Sequence, residues 1–326
     1  MKRIIRTIGK IFVAGIVAFV VLTFFCSFYY NTPVHYPNPD GSTDYVWQRN
    51  YHYSRMTEGI GYGVTNNEGL MNEFDYEEGM KIDVLFLGSS HIENQFVPMS
   101  RNCVSLLNDM FADLTFYNAG VSGHNFKVCV DNLPYALYKY KPSYVVIETS
   151  SLIFDEETVN KMIDGEIAEI ESHNGGLLEL LQKNPFIRLA YSQYESFVKN
   201  QSADEEYQAT DKQLDDKATD QLMAYLSSLA KVNDCEIIIL YHPTIDTISD
   251  VLTYRLGEDI VSEFGEIAKA NGITFLDMTD RFNEEYANNH LLPYGFSNTA
   301  VGVGHFNVEG QRMIAEEIEE LLKEGS

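Results

Sequence analysis

The sequence predicts an α/β fold, a parallel sheet covered by helices on both faces, preceded by one N-terminal transmembrane helix. Three observations carry this. Short continuous apolar runs alternate with helical periodicity, and one long uncharged stretch lies near the N-terminus. The 326 residues are 45% hydrophobic and 22% charged, the composition of a globular chain.

Residues 1–10 form a basic tail with Lys2, Arg3, Arg6 and Lys10 and no acid. Residues 11–30, IFVAGIVAFVVLTFFCSFYY, carry no charge. A helix of that length spans about 30 Å, the thickness of a bilayer core. Phe28, Tyr29 and Tyr30 then fall at the far interface, where aromatic rings are favoured. A cleavable signal peptide would have a shorter apolar run and a small-residue cleavage site, and FFCSFYY around Cys26 offers none. The basic tail stays cytoplasmic, so the reading is a single-pass cell-membrane protein with residues 31–326 outside.

Residues 31–44, NTPVHYPNPDGSTD, read as an extended linker, and 45–80 as aromatic-rich loops or short strands of the extracytoplasmic domain 45–326. Strands buried on both faces are predicted at 83–88, 114–119, 144–149, 236–241 and 273–278. Helices follow from the spacing of Val130, Leu133, Leu137 and Tyr140, and of Leu256, Ile260, Phe264 and Ile267 before Asn271-Gly272. Ile314, Ile318 and Leu321 mark a last helix, with Asn307 placed to cap it. Residues 152–232 interrupt the rhythm with about three charged helical stretches, read as an insertion that caps one end of the sheet.

The net charge of −25 excludes nucleic acid as a partner. Four cysteines, one of them in the apolar stretch, make no disulfide framework. Neither CxxC nor HExxH occurs, so no metal or cofactor is expected.

In an open parallel sheet, ligands bind beyond the carboxyl ends of the strands. The first strand ends in GSSH, Gly88 to His91, which sets two hydroxyls at a helix start. Alone, such a Ser is most often a cap. The second strand exits through NAGVSG with Gly120 and Gly123, and His242 follows the fourth. GVGHFN places His305 just before the last helix, although a lone His is most often structural. His35, His52, His124, His173 and His290 have no comparable context.

Together GSSH, NAGVSG and GHFN resemble the three blocks of the SGNH/GDSL hydrolase superfamily, over roughly 82–326 without the insertion. The resemblance implies a flavodoxin-like three-layer sandwich with a five-stranded parallel sheet. It implies Ser90 as nucleophile, His305 as general base, and Ser90 and Gly123 N–H groups as oxyanion donors. Two departures stand out. The family's Asn after the third strand is expected at Leu152, and its Asp three residues before the His is Gly302 here. The expected acceptor for His305 Nδ1 in its place is a carbonyl of the 297–304 loop or a nearby carboxylate, with Glu148 and Asn298 as named candidates.

The basic tail, single anchor and outward domain resemble extracytoplasmic acyl-transfer proteins of bacterial envelopes. These work beside a multi-pass membrane-bound O-acyltransferase. The implied substrate is an acylated envelope glycan or another ester, hydrolysed or transferred through a Ser90–His305 dyad. A non-catalytic glycan-binding or scaffolding subunit on a degenerate SGNH fold is the alternative. A dinucleotide-binding fold is disfavoured because GSSH replaces GxGxxG after the first strand.

Overall fold

The computed structural model describes residues 2–37, 45–167, 181, 183–202 and 213–324. Its centre is a five-stranded sheet of β6 (Val84–Leu87), β7 (Phe116–Asn118), β8 (Tyr144–Thr149), β9 (Glu236–Tyr241) and β12 (Thr274–Asp277). All neighbours are parallel, in the order β12-β9-β8-β6-β7. Taken in chain order this is 2-1-3-4-5, the flavodoxin-like arrangement, with its switch point beside β6.

Alternate side chains of these strands feed two cores. Leu85, Leu87, Val145, Ile147, Ile237 and Ile239 face one helical layer: α4 (Phe126–Tyr140), α5 (Glu156–Asp164), α7 (Asp216–Asn233) and α8 (Glu258–Ala270). Val84, Phe86, Val146, Ile238 and Leu240 face the other: α3 (Cys103–Met110), α9 (Thr279–Asn289) and α10 (Val308–Glu324). Burial on both faces explains why these strands are continuously apolar. Asn307 does cap α10, accepting from the N–H groups of Glu309 and Gly310 at 2.9 and 3.0 Å.

Two expectations are corrected. Residues 152–232 are not a separate cap: Val159 and Met162 of α5 and Leu222 and Leu226 of α7 complete a layer of the sandwich. Parts of that segment, 168–180, 182 and 203–212, lie outside the described residues. Among the described helices of this segment, α6 (Pro185–Ser202) packs on α1 (Lys2–Tyr29) instead.

The start of 31–44 is not a free linker either. β1 (Tyr30–Asn31) pairs with β4 (His52–Arg55), which pairs in turn with β5 (Gly61–Val64). Thr32 and Pro33 are buried, and β2 (His35–Pro37) pairs with β3 (Tyr45–Trp47). Residues 38–44 lie outside the described residues. The polar, proline-bearing composition resembles that of a linker, but backbone pairing, rather than apolar burial alone, holds this segment down. Helix α1 has a 27-residue stretch, Arg3–Tyr29, that is long and apolar enough to cross a membrane, with an 18-residue window of mean hydropathy 2.7.

Candidate active site

The site lies at the carboxyl end of the sheet, at the switch point. From β6 the chain passes Gly88 into the short helix α2 (Ser90–Glu93). Ser89 is its cap, its Oγ accepting from His91 N–H at 3.3 Å. Ser90 is the first helical residue, so its own N–H has no acceptor within the helix. The Ser89 N–H instead donates to Glu148 Oε2 of β8 at 2.7 Å, which ties this turn to the neighbouring strand.

His305 arrives from the opposite end of the sequence. It sits on β14 (Val301–Phe306), paired with β13 (Tyr294–Gly295), and Asn307 Nδ2 binds the carbonyls of Leu292 and Gly295. Its ring is stacked on Phe96, with centroids 3.6 Å apart and planes 18° apart. Ser90 Oγ and His305 Nε2 are 2.9 Å apart.

The acceptor for the other ring nitrogen is Glu58. Its Oε1 accepts from His305 Nδ1 at 2.9 Å and from the His305 backbone N–H at 3.1 Å. The expected nearby carboxylate is therefore Glu58, and neither Glu148 nor Asn298 fills the role. Asn298 mounts the replacement: its Oδ1 accepts from Gly59 N–H at 2.9 Å, and its Nδ2 donates to the Met56 and Gly59 carbonyls at 3.1 and 3.0 Å. Burial tends to raise the Glu58 carboxyl pKa. The hydrogen bonds and charge of His305, with Arg55 nearby, outweigh it and hold the group below its ordinary value. A carboxylate facing Nδ1–H fixes the tautomer that leaves Nε2 as acceptor for Ser90.

Gly302 cannot be the acid's position for a further reason. Its φ is +83°, and a Cβ there would lie 2.2 Å from Ile248 Cδ1. Gly302→Asp is therefore expected to lower the melting temperature, by strain of about 1–3 kcal/mol before the clash is counted, and to give no gain in ester turnover. A thermal scan beside a rate measurement checks this.

Glu148 is committed elsewhere. It is buried, and its Oε1 lies 2.5 Å from His242 Nε2, while His242 Nδ1 shares a 2.8 Å hydrogen bond with Tyr294 hydroxyl. Burial alone would raise its pKa. Hydrogen bonding to His242, the nearby His242 and His91 rings, and the Ser89 N–H bring it down to about 2. His91 packs against both His242 and His305, and burial, then His242, lowers it to about 3, so it is a neutral plate between them.

Gly123 lies in the loop after β7, with φ +92° and open space where a Cβ would stand. The loop is fixed to the Ser90 turn by Val121 N–H donating to Gly88 carbonyl at 2.9 Å, and by the Ser122 hydroxyl bonded to Glu93. Glu93 also accepts from Trp47 Nε1. Burial pushes its carboxyl up to about 7, against the hydrogen bonds from Ser122 and Gln95. Leu152 is fully buried in the core, and its apolar side chain has no hydrogen to donate.

Fold and site together define an α/β protein that carries a Ser–His–Glu hydrogen-bonded chain at a strand-to-helix turn, the arrangement that activates a hydroxyl nucleophile. The sequence matches no protein-family model and no curated protein. Among solved structures it is similar to the psychrotrophic esterase EstA from Pseudoalteromonas sp., at 15% identity over 74% of this chain and 97% of that one, TM-score 0.39. It is also similar to a member of the lipolytic G-D-S-L family from Veillonella parvula, at 16% identity over 74% and 98%, TM-score 0.41. A third is the acetyl xylan esterase AlAXEase, at 15% identity over 74% and 99%, TM-score 0.41.

Proposed function

We propose that this chain is a membrane-anchored serine esterase or O-acyltransferase of the SGNH/GDSL type, acting on acyl groups of a cell-envelope glycan. The observation that carries the reading is the chain Ser90 Oγ to His305 Nε2, 2.9 Å, and His305 Nδ1 to Glu58 Oε1, 2.9 Å. Ser90 donates its proton to His305 as its oxygen attacks the acyl carbonyl. The N–H groups of Ser90 and Gly123 receive the oxyanion. The tetrahedral adduct collapses to an ester on Ser90, and His305 returns the proton to the departing alkoxide. Water or a sugar hydroxyl then attacks that ester, with His305 again the base.

The acid whose absence favoured a non-catalytic subunit is supplied by Glu58, so catalysis is the better reading. Helix α1 serves as the anchor, with the basic tail inside and the domain outside. A multi-pass O-acyltransferase beside it is the partner that acyl transfer would need.

A fluorophosphonate probe tests the chemistry. The folded full-length protein is expected to label, and Ser90→Ala to abolish labelling; a folded wild type that takes no probe overturns the reading.

A further inference from the structure

The anchor helix runs directly into the part of the domain that holds Glu58. The carbonyl of Tyr29, the last residue of α1, accepts from Met56 N–H at 3.0 Å. Tyr30 and Asn31 then pair with Arg55 and Ser54, and Asn31 Nδ2 donates to the His52 carbonyl at 2.8 Å. Met56 is two residues from Glu58, a reach of at most about 7 Å of extended chain. Arg55, the partner of Tyr30, places its guanidinium 4.2 Å over the Phe96 ring that stacks on His305.

A second contact lies lower on the anchor. Asn184 Nδ2 donates to Thr23 Oγ1 at 3.1 Å, and Phe186 meets Phe19 edge-on with centroids 5.9 Å apart. Phe19 lies about 15 Å along the helix axis from Tyr29, towards the membrane interior. The start of α6, with Phe186 and Ile187 half-buried and Leu181 exposed just before it, is thus on the membrane side of the helix end. The β1–β4 tether therefore holds the domain at the end of the anchor helix, and among the described residues no free spacer lifts Ser90 away from it.

Resting on the proposed esterase and anchor, we infer that the substrate's ester is presented by the membrane itself, on the headgroup of a lipid. A polymer held far out in the envelope would have to bend back to the lipid surface. An acylated lipid headgroup would stand beside the helix end to which the Glu58 segment is tied.

The test places the full-length protein in phosphatidylcholine–phosphatidylglycerol vesicles with three fluorogenic probes. One is an umbelliferyl acetate joined to phosphatidylethanolamine by a two-carbon spacer, the second carries a long polyethylene glycol spacer, and the third is the free ester. Effective concentration peaks where spacer length matches the height of the site, so the short-spacer ester is expected to turn over at least about tenfold faster than the long one at equal surface density. Equal turnover, or a short-spacer ester that is spared while the other two are cut, overturns the inference. In those outcomes Ser90-dependent hydrolysis of the free ester leaves the esterase reading standing. If no probe is cut and no fluorophosphonate label appears, the esterase reading fails and this inference with it.

Discussion

Glu58→Gln should lower kcat by about 10²–10⁴ while leaving KM and the circular dichroism spectrum nearly unchanged. The amide is the same size, so Asn298 continues to hold Met56 and Gly59. What it loses is the charge that faces two donors, the Nδ1 and backbone N–H of His305. An amide can present its own N–H to Nδ1 and so favour the opposite tautomer, which puts a proton on Nε2 and removes the base. Even in the correct tautomer it stabilises imidazolium poorly. Glu58→Asp keeps the charge but retracts it by one methylene, and should sit between the two. Equal rates for wild type and Glu58→Gln would show that the acid has no part in turnover.

Glu148→Ala should be the most destabilising single change at the site, by about 3–5 kcal/mol, because it strips one partner from a buried pair. It also orphans Ser89 N–H beside the nucleophile. The pH dependence carries a sign. The Glu148 carboxyl lies at about 2 in the fold against its ordinary 4.5. Its contribution is therefore fully present above pH 4.5 and is lost as pH falls towards 2. At about 1.4 kcal/mol per unit this is roughly 3 kcal/mol. Chemical denaturation across that range should show a steeper acid loss for wild type than for Glu148→Ala. Parallel curves would remove Glu148 from the account.

The sheet was legible because each strand is buried on both faces and so announces itself as a continuous apolar run. Ser90 was legible because strand ends in such a sheet are where ligands bind and GSSH stands at one of them, and His305 because GHFN directly precedes the last helix. Glu58 was not. It lies on a short loop within a segment that has neither helical nor strand periodicity, and its pairing with His305 spans 247 residues. A signal was nevertheless present in Gly59, Gly61 and Gly63. At Gly59, with φ +68°, a Cβ would lie 2.3 Å from the Phe96 carbonyl oxygen, so this backbone presses against the segment that carries the ring under His305. Glu148 was a reasonable candidate for the missing acid because it lies on β8 near the same end of the sheet. Only the three-dimensional arrangement shows that Ser89 and His242 already claim it.

The distances along the chain within the Ser–His–Glu arrangement bear on how the protein matures. Ser90 and His305 are 215 residues apart, and Glu58 is farther still. Loop closure on that scale costs entropy before any contact rewards it, so pairings of this kind come late in folding, after local strand–helix–strand units have formed. The β13–β14 hairpin must dock on α2 and on the Glu58 loop before the nucleophile has a base. During refolding, helical signal should recover ahead of fluorophosphonate reactivity. A half-folded chain would already expose the Ser90 hydroxyl yet offer it no imidazole, because His305 arrives only with that hairpin.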